Sequence, residues 1–154
     1  MAAYFFDSSS LTKRYAKEKG TAWVISLFRP FSNNRIHVAE ISLVEVVSAL
    51  TRRQRGNTLS TNQYKRSLRR FRRVFKEKFF TIEIDSNLLQ EASNLAEKYA
   101  LRGYDAVQLA AALFVQNRRQ RIGASSLIFV SADIALNQAA QNEGLTVDNP
   151  NNYP

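Results

Sequence analysis

Four carboxylates stand where a folded domain would more readily place an apolar or neutral residue: Asp7, Glu45, Asp105 and Asp133. Asp7 ends the apolar run Tyr4-Phe5-Phe6, and Glu45 interrupts Ile41-Ser42-Leu43-Val44 and Val46-Val47. Asp105 opens the helix-like stretch Ala106 to Val115, and Asp133 follows Leu127-Ile128-Phe129-Val130. An isolated buried carboxylate is costly unless it is paired, protonated or bound to metal. Gathered at one crevice, four of them would repel one another and raise their own pKa values unless cations neutralised them. Two Mg²⁺ or Mn²⁺ ions would cancel that charge, and hard oxygen donors suit those ions. With no cysteine and His37 as the single histidine, a typical zinc site cannot be assembled. A paired-metal carboxylate cluster activates water, aligns it with a phosphodiester and stabilises the departing oxygen.

Each acid also has a plainer reading. Asp7 before three serines can make a turn or a cap, Asp133 can cap the helix Ile134 to Asn142, and Asp105 with Gln108 three residues later reads as a cap with its reciprocal partner. Glu45 is expected in mid-helix, where capping does not explain it, and its own face (Ile41, Ser42, Ser48, Ala49) is small and partly polar. Ser9 and Ser131 are placed to hold carboxylates or water, with capping as their default role. His37 reads as a structural histidine, and Glu40 as a dipole or cap residue in the first turn of its helix.

Short β-rich runs alternate with helical patterns and must position these acids. Ala3 to Phe6, Arg35 to Val38, Phe80 to Ile84, Leu127 to Val130 and Leu145 to Val147 read as strands. Helices are expected after Ser10 (Leu11 to Lys17), after Thr21 (Ala22 to Phe28) and after Ser60 or Thr61. Strands separated by helices imply an α/β fold with a mostly parallel sheet and helices on both faces. Asp7 and Asp133 then fall at the carboxyl ends of strands, where open parallel sheets bind ligands.

A chain of 154 residues fits one domain, here residues 1–150 with a polar C-terminal tail over 151–154 that is expected to lie on the surface or fray. Lack of cysteine suits a reducing cytosol, and no apolar run approaches membrane-spanning length, so a soluble cytoplasmic protein without a membrane partner is expected. A net charge of +9 points to a polyanionic partner. From Thr61 to Phe79, Lys65, Arg66, Arg69, Arg70, Arg72, Arg73, Lys76 and Lys78 face a single acid, Glu77, and an apolar stripe of Tyr64, Leu68, Phe71, Val74, Phe75 and Phe79 marks the buried side. Arg52, Arg53 and Arg55 end the preceding helix, and Arg118, Arg119 and Arg121 end the one after Asp105. Both Arg groups suit a helix carboxyl terminus, yet such clustering is also what tracking a phosphate backbone requires. Arg52, Arg53, Arg55, Lys65, Arg66, Arg69, Arg70 and Arg73 are the candidate RNA-binding residues, with a solvated helix face or an antitoxin's acidic tail as alternatives.

Several segments in register resemble the PIN-domain ribonucleases, and within them the VapC-type toxins of type II toxin–antitoxin systems. They are Tyr4-Phe5-Phe6-Asp7-Ser8-Ser9-Ser10-Leu11 with Lys13-Arg14-Tyr15, and Ile41-Ser42-Leu43-Val44-Glu45-Val46 with Ala49-Leu50. Tyr104 to Ala112, Val130-Ser131-Ala132-Asp133 with Leu136, and Gly144 to Val147 with Asn149-Pro150 continue the match. The resemblance implies a PIN-like three-layer α/β/α fold with about five strands and a Mg²⁺- or Mn²⁺-dependent endoribonuclease. It maps metal and catalytic roles onto Asp7, Glu45, Asp105 and Asp133, with Asp7 and Asp105 the firmest ligands. It further implies a homodimer and a cognate VapB-like antitoxin that occludes the site. Two other readings remain open: a non-catalytic basic RNA-binding module of the same fold, and an aspartyl-phosphate phosphatase using Asp7 as nucleophile. The latter usually carries a second acid two residues on, where this chain has Ser9.

Overall fold

The structure is a computed structural model that describes residues 1–154. Five strands, β1 (Ala3–Phe6), β2 (Arg35–Ala39), β3 (Phe80–Ile82), β4 (Leu127–Val130) and β5 (Thr146–Asp148), form one sheet in the order β3-β2-β1-β4-β5. Every neighbouring pair is parallel. Parallel pairing requires crossover connections, and seven helices supply them: α1 (Ser8–Thr12), α2 (Thr21–Leu27), α3 (Ser42–Arg55), α4 (Thr61–Glu77), α5 (Ser86–Tyr99), α6 (Gly103–Arg121) and α7 (Ile134–Asn142).

Strand alternation splits the core into two layers. Ala3 and Phe5 of β1, with Leu127 and Phe129 of β4, pack against α5, α6 and α7, and Phe5 stacks on Phe129 with ring centroids 5.9 Å apart. Tyr4 and Phe6 of β1, with Ile36, Val38 and Val130, face α1 to α4 through Leu11, Val24, Val46, Leu50 and Phe71. Most central-strand positions are buried, as a sheet covered on both faces demands. The three-layer α/β/α expectation holds, and the sheet is wholly rather than mostly parallel.

Several boundaries differ from the sequence reading. β3 stops at Ile82 and β5 runs one residue later than expected. The first helix covers Ser8–Thr12, capped by Asp7, because the Asp7 carboxylate reaches the backbone N–H of Ser10 and displaces Ser10 as the cap. Glu40 lies before α3, not in its first turn, and accepts from the backbone N–H of Ile84. His37 is structural as expected: its Nδ1 sits 3.2 Å from the Tyr4 carbonyl and its ring stacks on Phe80.

The polar segment Asn149 to Pro154 is pinned rather than frayed. Its 3₁₀ turn, Pro150–Asn152, leaves Pro150 buried, Tyr153 stacks on Trp23 at 4.4 Å between centroids, and Asn151 Oδ1 accepts from Lys13 Nζ at 2.9 Å. Gly20 makes this docking possible: its φ is +86°, and a Cβ there would run into the Pro150 carbonyl. Gly20→Ala is therefore expected to destabilise the fold by more than about 1 kcal/mol, read as a lower urea midpoint with an unchanged slope. A midpoint equal to wild type would show that the turn can move away at no cost.

Candidate active site

Strand order reverses between β1 and β4, and in open parallel sheets such a switch point opens a crevice beyond the strand ends. Asp7 directly follows β1, and Asp133 lies three residues beyond β4. Glu45 is on α3, the helix after β2, and Asp105 on α6, the helix before β4. The fold brings all four to one cleft of about 830 Å³, whose walls also include Ser8, Ser9, Lys13, Arg52, Arg53, Arg102, Tyr104 and Gln108.

Asp7 is 3% exposed and clamped by hydroxyls. Its Oδ1 accepts from the backbone N–H and the Oγ of Ser10 at 2.9 and 2.7 Å, Ser9 Oγ lies 2.9 Å from both carboxylate oxygens, and Ser131 Oγ donates to Oδ2 at 2.7 Å. Burial holds the Asp7 carboxyl above its ordinary value, and these hydrogen bonds offset only part of the rise. Ser131 in turn accepts from the backbone N–H of Asp133 at 3.1 Å, and Ser9 accepts from that of Ala132 at 3.2 Å. Ser9 and Ser131 thus tie the loop after β1 to the loop after β4.

Glu45 lies in the first turn of α3 rather than in mid-helix. Its Oε1 accepts from Ser8 Oγ at 2.9 Å and from Gln108 Nε2 at 2.8 Å, and that same amide nitrogen lies 3.0 Å from Ser42 Oγ. Burial raises the Glu45 carboxyl, the two hydrogen bonds oppose this, and Asp7 adds a smaller upward push. Asp133 caps α7, accepting from the Leu136 N–H at 2.8 Å, so its capping reading is correct and leaves Oδ2 uncommitted.

Asp105 is not a cap. α6 begins two residues earlier, at Gly103 with Arg102 in the capping position, and Gln108 turns to Glu45 instead of back to Asp105. The Asp105 carboxylate accepts no hydrogen bond from the protein, and its pKa rises to about 6, chiefly through burial and then through Asp133, Asp7 and Glu45, with Arg102 opposing. A half-buried acid facing three others is the environment that a bound cation would relieve.

The expected RNA-binding residues divide. Arg52 and Arg53 are on the cleft wall, but Arg53 is paired with Glu18 at 2.9 Å. Arg55, Lys65, Arg66, Arg69, Arg70 and Arg73 lie outside the cleft lining; the α4 side chains among them form an exposed face opposite buried Phe71 and Val74. Ser8, Gln108 and Arg102 were not singled out as site residues by the sequence. Gln108 carried a signal, standing one helical turn after Asp105, but its partners are 63 and 100 residues away in the chain.

The family model described as PIN domain matches residues 4–141. The chain belongs to the PIN domain family. Among solved structures, VapBC2 from Rickettsia felis bound to a promoter DNA fragment is 14% identical with a TM-score of 0.60, covering 96% of this chain and 98% of that one. VapBC-1 from nontypeable Haemophilus influenzae is 14% identical with a TM-score of 0.58 over 96% and 98% of the two chains. A toxin–antitoxin complex from Klebsiella pneumoniae is 17% identical with a TM-score of 0.57 over 84% and 86%. At these identities the likeness is one of fold. No curated protein matches the sequence.

In this PIN domain the donor set fits Mg²⁺ or Mn²⁺ by chemistry: carboxylate oxygens, neighbouring hydroxyls and no soft ligand. The acids are near enough to perturb one another, yet no three of them are drawn into a ready-made ligand cage. Mg²⁺ commonly takes only one or two carboxylates and keeps several waters, so a closed cage is not required.

Asp105 sets a pH signature for the metal-free fold. Its folded pKa of about 6 lies above the ordinary 3.8, so its proton stabilises the fold fully below the lower value and is lost as pH rises through the upper. In chelator-treated protein, Asp105→Asn is expected to be more stable than wild type near neutral pH, by roughly 1 kcal/mol after solvent screening, with the gain disappearing toward about pH 4. Urea titrations at both pH values check this; a variant less stable than wild type near neutrality contradicts it.

Proposed function

We propose that this PIN domain is a divalent-metal-dependent endoribonuclease, a VapC-type toxin held in check by a VapB-like antitoxin. The observation that carries the reading is the convergence of Asp7, Glu45, Asp105 and Asp133 on one cleft of a chain with net charge +9, with the pKa of Asp105 raised to about 6 partly by the other three acids. PIN domains are nucleases as a rule. The Rickettsia and Haemophilus neighbours are VapBC assemblies, which supports the antitoxin partner.

Asp7 and Asp105 would be the main metal ligands, with Glu45 and Asp133 completing the cluster or positioning water. A Mg²⁺ or Mn²⁺ ion bound there would neutralise charge on a phosphodiester and acidify water. Hydroxyls of Ser9, Ser10 and Ser131 hold Asp7 in one orientation, and Ser8 with Gln108 does the same for Glu45. Such fixed oxygens need little reorganisation when a substrate arrives. Arg52 and Arg102 would attract flanking phosphates, and cleavage by water would leave a 5′-phosphate. The exposed basic face of α4 would serve a longer RNA strand or the antitoxin. A cytoplasmic homodimer is the matching assembly.

A purely RNA-binding module gains nothing from four carboxylates in its cleft, since they repel phosphate. An aspartyl-phosphate phosphatase usually carries a second acid two residues after its nucleophile, and here that position is Ser9, whose hydroxyl instead donates to Asp7.

Wild-type protein is expected to cut total RNA in the presence of Mg²⁺ or Mn²⁺ and to stop on chelation. Asp7→Asn is expected to lower the rate at least about a hundredfold. Equal cutting by the two proteins, or undiminished cutting in chelator, would overturn the assignment.

A further inference from the structure

A second cavity, of about 430 Å³, adjoins the acidic cleft between the loop after α1 and the connection from α3 to α4, with Lys17, Thr58, Gln63 and Ser67 in its walls. Glu18 and Arg53 line both spaces, and no other residue does. The two are joined as an ion pair, Arg53 Nη2 donating to Glu18 Oε2 at 2.9 Å. This pair is therefore the partition between cleft and cavity.

Its two partners are not held alike. Glu18 Oε1 also lies 3.4 Å from Lys13 Nζ, and that buried ammonium is fixed by the Lys19 carbonyl and Asn151 Oδ1, each accepting from it at 2.9 Å. Glu18 thus keeps a cation when Arg53 leaves. Arg53 stands in the last turn of α3 with Glu18 as its single acidic partner, and both side chains are 31% exposed. An ion pair that water reaches contributes little, whereas a guanidinium grips a phosphate through two parallel hydrogen bonds. A phosphate arriving from the cleft competes with Glu18 for Arg53 on favourable terms.

The far side of the partition suits the same ligand. Glu18 is the only acid in its walls. Lys17 is exposed there, and Gln63, whose Oε1 accepts from the Ser60 N–H in the α4 cap, keeps both Nε2 donors free. Arg66 and Arg70, three residues past Gln63 and Ser67, continue that face of α4, exposed and in no ion pair.

We propose that the Glu18–Arg53 pair is an exchangeable gate, and that the cavity behind it is a phosphate subsite for the RNA strand leaving the cleft, entered when Arg53 trades Glu18 for a backbone phosphate. The inference rests on the ribonuclease reading and falls with it. Through this gate the basic face of α4 is joined to a cleft that it does not itself line.

The test uses the full chain and a labelled RNA of about twelve nucleotides, titrated in chelator over a range of salt and then offered for cleavage with Mg²⁺ or Mn²⁺. Glu18→Gln, which releases Arg53, is expected to bind roughly threefold to tenfold more tightly than wild type at low salt, with a logarithmic salt slope steeper by up to about 0.7, and to lower KM by a similar factor while kcat moves little. Arg53→Gln should bind more weakly than wild type with a flatter slope, and the double variant should lose the gain of Glu18→Gln. Glu97→Gln makes the same charge change at an exposed position of α5 outside both spaces and should bind as wild type does. Arg53→Gln leaves Glu18 with Lys13, so it decides the question alone where Glu18→Gln lowers the Tm. If wild type cuts RNA but Arg53→Gln binds it with wild-type affinity and slope, or folded Glu18→Gln gains nothing, or its gain survives in the double variant, the gate is overturned and the nuclease reading stands. If wild type cuts no RNA with either ion, the nuclease reading fails and the gate fails with it.

Discussion

Repulsion among carboxylates held in a partly buried cleft is the constraint around which this fold is organised. Four acidic groups that could each be solvated at the surface are instead brought beyond the strand ends, at the point where the strand order reverses. Asp7 tolerates its burial by taking several serine hydrogen bonds, and Glu45 by taking a serine and an amide. Asp133 offsets its position by capping α7. Asp105 has no such hydrogen bonds, and its carboxyl, like those of Asp7 and Glu45, is pushed up by burial, here to about 6. Structures keep an arrangement of this kind where function requires it, since a neutral residue at any of the four positions would ease the repulsion.

The supporting network has a clear division of labour. Serines near the strand ends join the β1 and β4 loops across the switch point, so that Asp7 and Asp133 are held as one unit. Gln108 links α6 to α1 and α3 by reaching Ser8, Ser42 and Glu45. Helices on opposite faces of the sheet therefore meet at the cleft through a single amide, which makes Gln108 a positioning residue for Glu45. Positive charge is arranged differently: some of it reaches the cleft wall, and most of the α4 side chains face outward on a surface of their own.

Much of this was legible in the chain. Apolar runs of four or five residues broken by helical periodicity fixed the α/β class, and Asp7 and Asp133 announced themselves by ending such runs. The capping box at Ser60 and Gln63 was half visible from the serine alone, because an N-cap acts within one turn. What could not be read depended on contacts distant in sequence. Whether Gln108 served Asp105 or Glu45 was settled by the approach of α3 to α6, which no local pattern encodes. Asn149 to Pro154 looked like a polar tail because its anchors, Trp23, Lys13 and the bare backbone of Gly20, lie far upstream. The start of α6 is hidden in the sequence because Arg102, in the capping position, makes no side-chain cap hydrogen bond.

Direct measurement of Mn²⁺ binding by electron paramagnetic resonance tests the central claim most sharply. Wild-type protein is expected to bind Mn²⁺ and to release it to competing Mg²⁺, while Asp105→Asn and Asp7→Asn bind at least about tenfold more weakly with the fold intact. Equal Mn²⁺ affinity in the wild type and both variants, or no binding by any of them, would mean that the four carboxylates share a cleft without serving a cation.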